Sequence, residues 1–244
     1  PAPSVITRPS RSHPVIAKQF KAIQERIQAA ARACGRAPES VRLVAVSKTV
    51  DADRVRAAIE AGVTILGENY IQESREKFNT LYDQGAAWHF IGHLQSNKAK
   101  YAVRIFDLIH SVDSLKLARA LNKEAAKREK IQEILVQVNL SGEATKSGVS
   151  AEAVVPLIEQ TAELTHLRIR GLMTMPPFFD DPDRARPFFE ELAALQHHIG
   201  RQPTPNADMT ELSMGMTGDF EVAIAAGATL VRIGTAIFGE RHYV

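Results

Sequence analysis

Apolar positions along the chain fall into short runs separated by amphipathic stretches, and the two patterns alternate. The first periodic stretch opens at Val15. Ile16, Phe20, Ile23 and Ile27 recur at threes and fours until Gly35 and Pro38 stop the run, which predicts a helix over 15–33. Beyond it, compact apolar runs at 41–47, 63–66, 88–91, 105–110, 134–140, 167–173, 209–213 and 229–233 read as strands. Helical patterns lie between them at 52–61, 71–81, 114–128, 153–164, 184–199 and 220–226. Asp51, Asp113 and Ser150 stand where N-caps belong. Gly62 and Gly227 stand just past helix ends, where a left-handed backbone is wanted.

Strands that alternate with helices pair in parallel, because each connection is long enough for a βαβ crossover. Eight such units within 244 residues predict an α/β fold of one domain, a (β/α)8 barrel. The doubly wound open sheet is the rival. It favours a Gly-x-Gly-x-x-Gly turn after its first strand, and here that strand runs into Ser47-Lys48-Thr49. Too few residues follow the eighth strand for a full outer helix, and the helix over 15–33 is expected to cover that gap. The barrel is read as 15–244. Residues 1–14 carry four prolines and no apolar core, so they are expected to be a flexible tail rather than a signal peptide.

Composition narrows the function classes. An apolar fraction of 45% and a charged fraction of 24% exclude a disordered, collagenous or coiled-coil chain. No apolar run is long enough to cross a bilayer. Thirty basic against twenty-eight acidic residues give +2, too balanced to suggest a binder of nucleic acid or of anionic membranes. The single cysteine, Cys34, cannot form an internal disulfide, which fits a reducing, cytoplasmic setting.

In a barrel, chemistry gathers at the C-terminal ends of the strands. By the period of two, Lys48 stands at the end of the first strand on the face of Val44 and Val46. An amine held among apolar groups has its charged form disfavoured, which suits a Schiff-base nucleophile. A second constellation follows the last two strands: Ser213-Met-Gly-Met-Thr217-Gly-Asp219, then Arg232-Ile-Gly234-Thr235. Barrels often hold phosphate there, on backbone N–H groups and hydroxyls. Asp219 argues against an anion unless it caps the following helix from the other side. Arg232 shares its face with Leu230 and points inward, either paired, with Glu211 as the candidate partner, or facing a ligand ring. His89 and His93 lack a third ligand for zinc, so no metal is expected, and His89 reads as a hydrogen-bonding group at the barrel mouth. Met173 and Met175 read as core filling, and Trp88 and Phe90 as packing outward against helices.

These residues sit in segments that resemble a known family. Leu43-Val-Ala-Val-Ser-Lys48, Gly67-Glu-Asn-Tyr70, Trp88 through Lys98, Asn139 through Gly148, Gly171-Leu-Met-Thr174, Leu212 through Met216 and Val231 through Gly239 are similar, in order and spacing, to the pyridoxal phosphate homeostasis proteins. Those are barrels similar to the N-terminal domain of alanine racemase. The resemblance implies pyridoxal 5′-phosphate held as a Schiff base on Lys48. It implies a phosphate site of Ser213, Thr217 and the Gly234–Thr235 backbone, with Arg232 facing the pyridine nitrogen. Asn69, His89 and Met214 match positions around the ring. The family usually carries a serine hydroxyl where this chain has Thr217, which keeps the donor.

The role implied is cofactor storage and delivery without catalytic turnover, with apo-enzymes that need the cofactor as recipients. The protein is expected as a monomer or weak dimer, and a second cofactor site near Lys146 is left open. An arginine rather than an acid beside the pyridine nitrogen opposes carbanion chemistry. The separate domain that supplies the second proton carrier in alanine racemase has no counterpart expected here. A weak amino-acid racemase and a cofactor-free Schiff-base aldolase are the alternatives.

Overall fold

The structure, a computed structural model, describes residues 13–143 and 146–239. Its strands are β1 (Arg42–Val46), β2 (Ile65–Glu68), β3 (Ala87–Phe90), β4 (Leu108–Val112), β5 (Gln132–Asn139), β6 (Val149–Ser150), β7 (Leu167–Met173), β8 (Ala207–Ser213) and β9 (Leu230–Ile233). Its helices are α1 (Pro14–Ala33), α2 (Ala52–Glu60), α3 (Ile71–Leu81), α4 (Ala99–Ile105), α5 (Leu115–Ala126), α6 (Val154–Ala162), α7 (Arg186–Gly200), α8 (Phe220–Ala225) and α9 (Thr235–Phe238). The order β4-β3-β2-β1-β9-β8-β7-β5 closes through a β4–β5 pairing. Every one of these pairings is parallel, which makes the (β/α)8 barrel the sequence predicts. The two-residue β6 lies outside that ring and pairs only with the end of β5.

Alternation along the strands divides the core into two layers. Val44, Ile65, Leu108, Leu135, Met173 and Leu230 fill the barrel interior. The opposite faces pack against the helices in a larger cluster that includes Trp88, Phe90 and Phe106. The Trp88 ring meets Phe78 of α3 edge-on at 5.4 Å, and Phe90 meets Phe106 at 5.0 Å. Met173 is core, as expected. Met175 is not: it is 40% exposed, because the chain has already left β7 and turned over the mouth.

Most element ends shift by a residue or two from the sequence reading, and the largest shift is at the start of β4. Ile105 ends α4 instead of opening a strand, and β4 starts at Leu108. The α4 segment buries Ala99, Ala102, Val103 and Ile105, a helical spacing too short to stand out in the sequence. Asp51 does cap α2, accepting the Arg54 N–H at 3.0 Å. For α5 the cap is Ser114 rather than Asp113, and Ser150 makes no side-chain cap. Gly62 and Gly227 both adopt φ +111°, the conformation their positions require.

The helix α1 buries Ile16, Phe20, Ile23 and Ile27 and packs against α2, α8 and α9. It therefore covers the outer side of β1 and β9, where a full eighth helix would lie. The Arg26 guanidinium pairs with Glu221 of α8 at 2.5 Å and lies over the Phe220 ring, and Arg36 donates to the Ile224 carbonyl at 2.8 Å. Pro14, assigned to the tail by sequence, is the first residue of α1. The rest of that tail, through residue 12, lies outside the described residues.

Candidate functional site

A cavity of about 290 Å³ opens at the C-terminal ends of the strands. Its polar lining comes from separate loops: Lys48 after β1, Asn69 after β2, Thr217 and Asp219 before α8, Arg232 on β9, and Thr235 at the start of α9. Gly234 completes that edge. Val46, Ile91, Met175, Phe178 and Phe179 form the apolar walls. Six of the residues picked out by sequence thus meet in one cavity: Lys48, Asn69, Thr217, Arg232, Gly234 and Thr235.

Local backbone explains two of these placements. Ser47 is wholly buried, Lys48 is half-buried in the turn that ends β1, and Thr49 takes the left-handed φ of +62°. The strand alternation therefore delivers the lysine stem to the barrel mouth. Asn69 is held from below by Gly92, where a Cβ would sit 2.2 Å from the Asn69 carbonyl oxygen. Only glycine lets the two loops approach that closely. The Asn69 Oδ1 is buried and has no hydrogen-bond partner.

The other three, His89, Ser213 and Met214, do not line the cavity. Met214 is buried in the outer layer between sheet and helices. Ser213 and His89 lie beneath the floor in a hydrogen-bonded chain that crosses the barrel. Arg232 Nη1 donates to the Ser213 hydroxyl oxygen at 2.5 Å. Ser213 Oγ is 2.8 Å from His110 Nδ1, and His110 Nε2 is 3.0 Å from His89 Nδ1. Arginine can only donate, so the Ser213 oxygen accepts that bond, and the two imidazole rings carry the chain on to His89. The Ser213 hydroxyl, expected from sequence at a phosphate site, is buried here and bonded to Arg232 and His110.

Burial pushes the His89 ring down to about 3, helped by Arg42. Burial holds His110 well below the usual histidine range, and His89, Arg232 and Arg42 add to it. Both rings are neutral at pH 7. Burial also pulls Arg232 down to about 10 against the opposing field of Asp219, which leaves it protonated at neutral pH. Its Nη2 donates to the Thr174 carbonyl at 2.9 Å.

Glu211 is not its partner. That carboxylate pairs with Arg42 at 2.5 Å and accepts from the Thr229 hydroxyl at 2.6 Å, two residues lower on β8 than Ser213. Asp219 does not cap α8 with its side chain. It turns back and accepts the Met216 N–H at 2.6 Å, and burial raises its pKa.

Sequence reasoning missed His110, although its parity with Leu108 places it on the inward face of β4. His93 is exposed, with Nδ1 3.4 Å from Ser147 Oγ, so it does not share a site with His89. Among the described residues no group of three His, Cys, Asp or Glu side chains is placed to hold a metal ion. Among them, too, no helix is long and apolar enough to cross a membrane. Lys146 is off the cavity lining and pairs with Glu143 at 3.0 Å.

The alanine racemase N-terminal domain family matches residues 19–242. A pyridoxal phosphate homeostasis protein of Aquifex aeolicus is 43% identical over 226 residues, covering 93% of this chain and 98% of the relative. The Escherichia coli K12 protein of the same name is 42% identical over 231 residues, covering 93% and 97%. Among solved structures, PipY of Synechococcus elongatus with pyridoxal phosphate bound superposes with a TM-score of 0.81 at 34% identity, covering 92% of this chain and all of that one. With a closed parallel barrel, near-complete coverage and this level of identity, the chain belongs to the pyridoxal phosphate homeostasis protein family.

Proposed function

We propose that this chain binds pyridoxal 5′-phosphate through Lys48 and serves cofactor homeostasis, taking up and releasing the cofactor without turning over amino acids. The observation that carries this reading is the convergence of Lys48, Asn69, Arg232 and the Thr217 and Thr235 hydroxyls on one small cavity. These residues fit the cofactor. The cavity offers a primary amine, an orphaned buried acceptor at Asn69, hydroxyls at one edge and apolar walls for a flat ring. When bound, the cofactor supplies an aldehyde that a primary amine captures, and a ring that stabilises negative charge when its nitrogen is protonated.

The chain's own residues do the rest. Lys48 presents its amine from a fixed turn. Thr217, Thr235 and the Gly234 backbone offer donors to a phosphate group. Asp219 stands on the same wall, where the charge of Arg232 offsets its own. Ser213 and His110 act one layer down, holding the Arg232 guanidinium in place. Arg232 has no acceptor and keeps its proton at neutral pH, so it would donate a hydrogen bond to a ring nitrogen and give it no proton. That arrangement supports capture and release by amine exchange and opposes carbanion formation. Amine-bearing acceptors, apo-enzymes among them, are the recipients this chemistry allows.

Two measurements test the reading. Thr217→Ala combined with Thr235→Ala should weaken pyridoxal phosphate by roughly tenfold or more, the scale of lost hydrogen bonds to a charged group. Unphosphorylated pyridoxal should lose much less, and equal losses would show that this edge does not hold the phosphate. Separately, alanine and serine incubated with the loaded protein in deuterium oxide should gain no deuterium at the α-carbon. Multiple turnovers that vanish in Lys48→Ala would overturn the carrier reading and revive the racemase.

A further inference from the structure

Behind the turn that carries Lys48 lies a buried cluster of two carboxylates and one ammonium that takes no part in the cavity lining. Glu68, the last residue of β2, is fully buried, and Lys77 on the inner face of α3 is 6% exposed. Glu73, one helical turn before Lys77, is a quarter exposed. Lys77 Nζ is 2.8 Å from Glu68 Oε1 and 2.6 Å from Glu73 Oε1.

The same three side chains grip the backbone on both sides of Lys48. The Ser47 hydroxyl donates to Glu68 Oε1 at 2.6 Å, and Lys77 Nζ donates to the Ser47 carbonyl oxygen. The Thr49 N–H donates to Glu73 Oε1 at 2.5 Å. Thr49 is β-branched and held at φ +62°, a conformation such residues keep only where their surroundings impose it. Glu68 also directly precedes Asn69, whose side chain enters the cavity. One cluster therefore ties the turn that bears the amine to the turn that bears the amide.

We infer that Glu68, Lys77 and Glu73 are positioning residues that fix the Ser47–Thr49 turn, so that the Lys48 amine meets an aldehyde bound in the cavity. A purely stabilising role accounts poorly for the arrangement. Buried ion pairs are weak stabilising devices on average, and this one ends on backbone groups flanking a single residue. The inference rests on Lys48 as the anchor, and the test separates the two claims.

Pyridoxal phosphate and pyridoxine 5′-phosphate are compared by equilibrium binding, because the second has an alcohol in place of the aldehyde and cannot join the amine. Wild type should prefer the aldehyde, and Lys48→Ala should erase the preference. If it does not, the anchor reading fails. In Glu73→Ala, whose side chain is partly exposed and whose loss the fold tolerates better than a break in the Glu68–Lys77 pair, aldehyde affinity should drop roughly tenfold with alcohol affinity unchanged. Glu73→Gln keeps an acceptor oxygen for Thr49 and should stay close to wild type. Adding Thr49→Gly to Glu73→Ala should restore much of the loss, since glycine takes a positive φ without strain. Equal losses for both ligands in Glu73→Ala, no loss at all, or no rescue by glycine would overturn the positioning role.

Discussion

Lys48→Ala gives a folded protein from which borohydride no longer fixes any cofactor. The expected loss is complete, because in the proposed arrangement covalent retention depends on one amine, whereas the proposed phosphate donors remain and leave weaker, reversible binding. Folding should be nearly unaffected: Lys48 is half-buried at the mouth and belongs to neither the interior nor the outer core cluster. Borohydride treatment followed by peptide mapping reads the attachment, and thermal unfolding reads the fold. Cofactor fixed on another lysine in the variant, Lys146 for instance, would move the anchor elsewhere.

Acid should destabilise the barrel steeply, starting well above the carboxylate range. His89 and His110 are neutral in the folded protein, with His89 at about 3 and His110 far below its ordinary value of 6.5. The unfolded chain binds their protons below about pH 6.5 and the folded chain does not, so stability present above that value is lost as pH falls. Each histidine contributes about 1.4 kcal/mol per pH unit in this window, and the pair about twice that. Urea unfolding at pH 7.5, 6.5 and 5.5 should show the decline. His110→Gln, which does not titrate, should roughly halve the slope whatever it does to the stability at pH 7.5. A flat profile across this range would mean that the rings take up protons within the fold.

The barrel was legible because its elements are short, strongly patterned and punctuated. The helix over 71–81 and the strand over 167–173 coincide with the structure to the residue. The α4 segment escaped because seven residues hold too little periodicity to separate a helix from the strand that follows. At the site, parity along single strands was enough to place Lys48 and Arg232 correctly. What the chain could not show was which residue stands across the barrel from which. The sequence leaves Arg232 either paired, with Glu211 on its neighbouring strand as the candidate, or facing a ligand ring, whereas its hydrogen bonds run to Ser213 and on to His110 of β4. Such pairings depend on how far each strand is shifted against the next, and residue types in one sequence carry little of that information.

The position of α1 has a consequence for the order in which the protein is made. This helix is made before the barrel strands, and the α8 and α9 surfaces it covers are made after them or among the later of them. Until they appear, the apolar stripe of Ile16, Phe20, Ile23 and Ile27 has the Pro38–Ser40 turn and α2 to lean on. Closure of the outer ring must therefore wait for the 220–238 segment, whose contacts with α1 are far apart in sequence, 195 residues for the Arg26–Glu221 pair. A nascent chain stalled before residue 220 would carry that stripe exposed, a natural target for a chaperone.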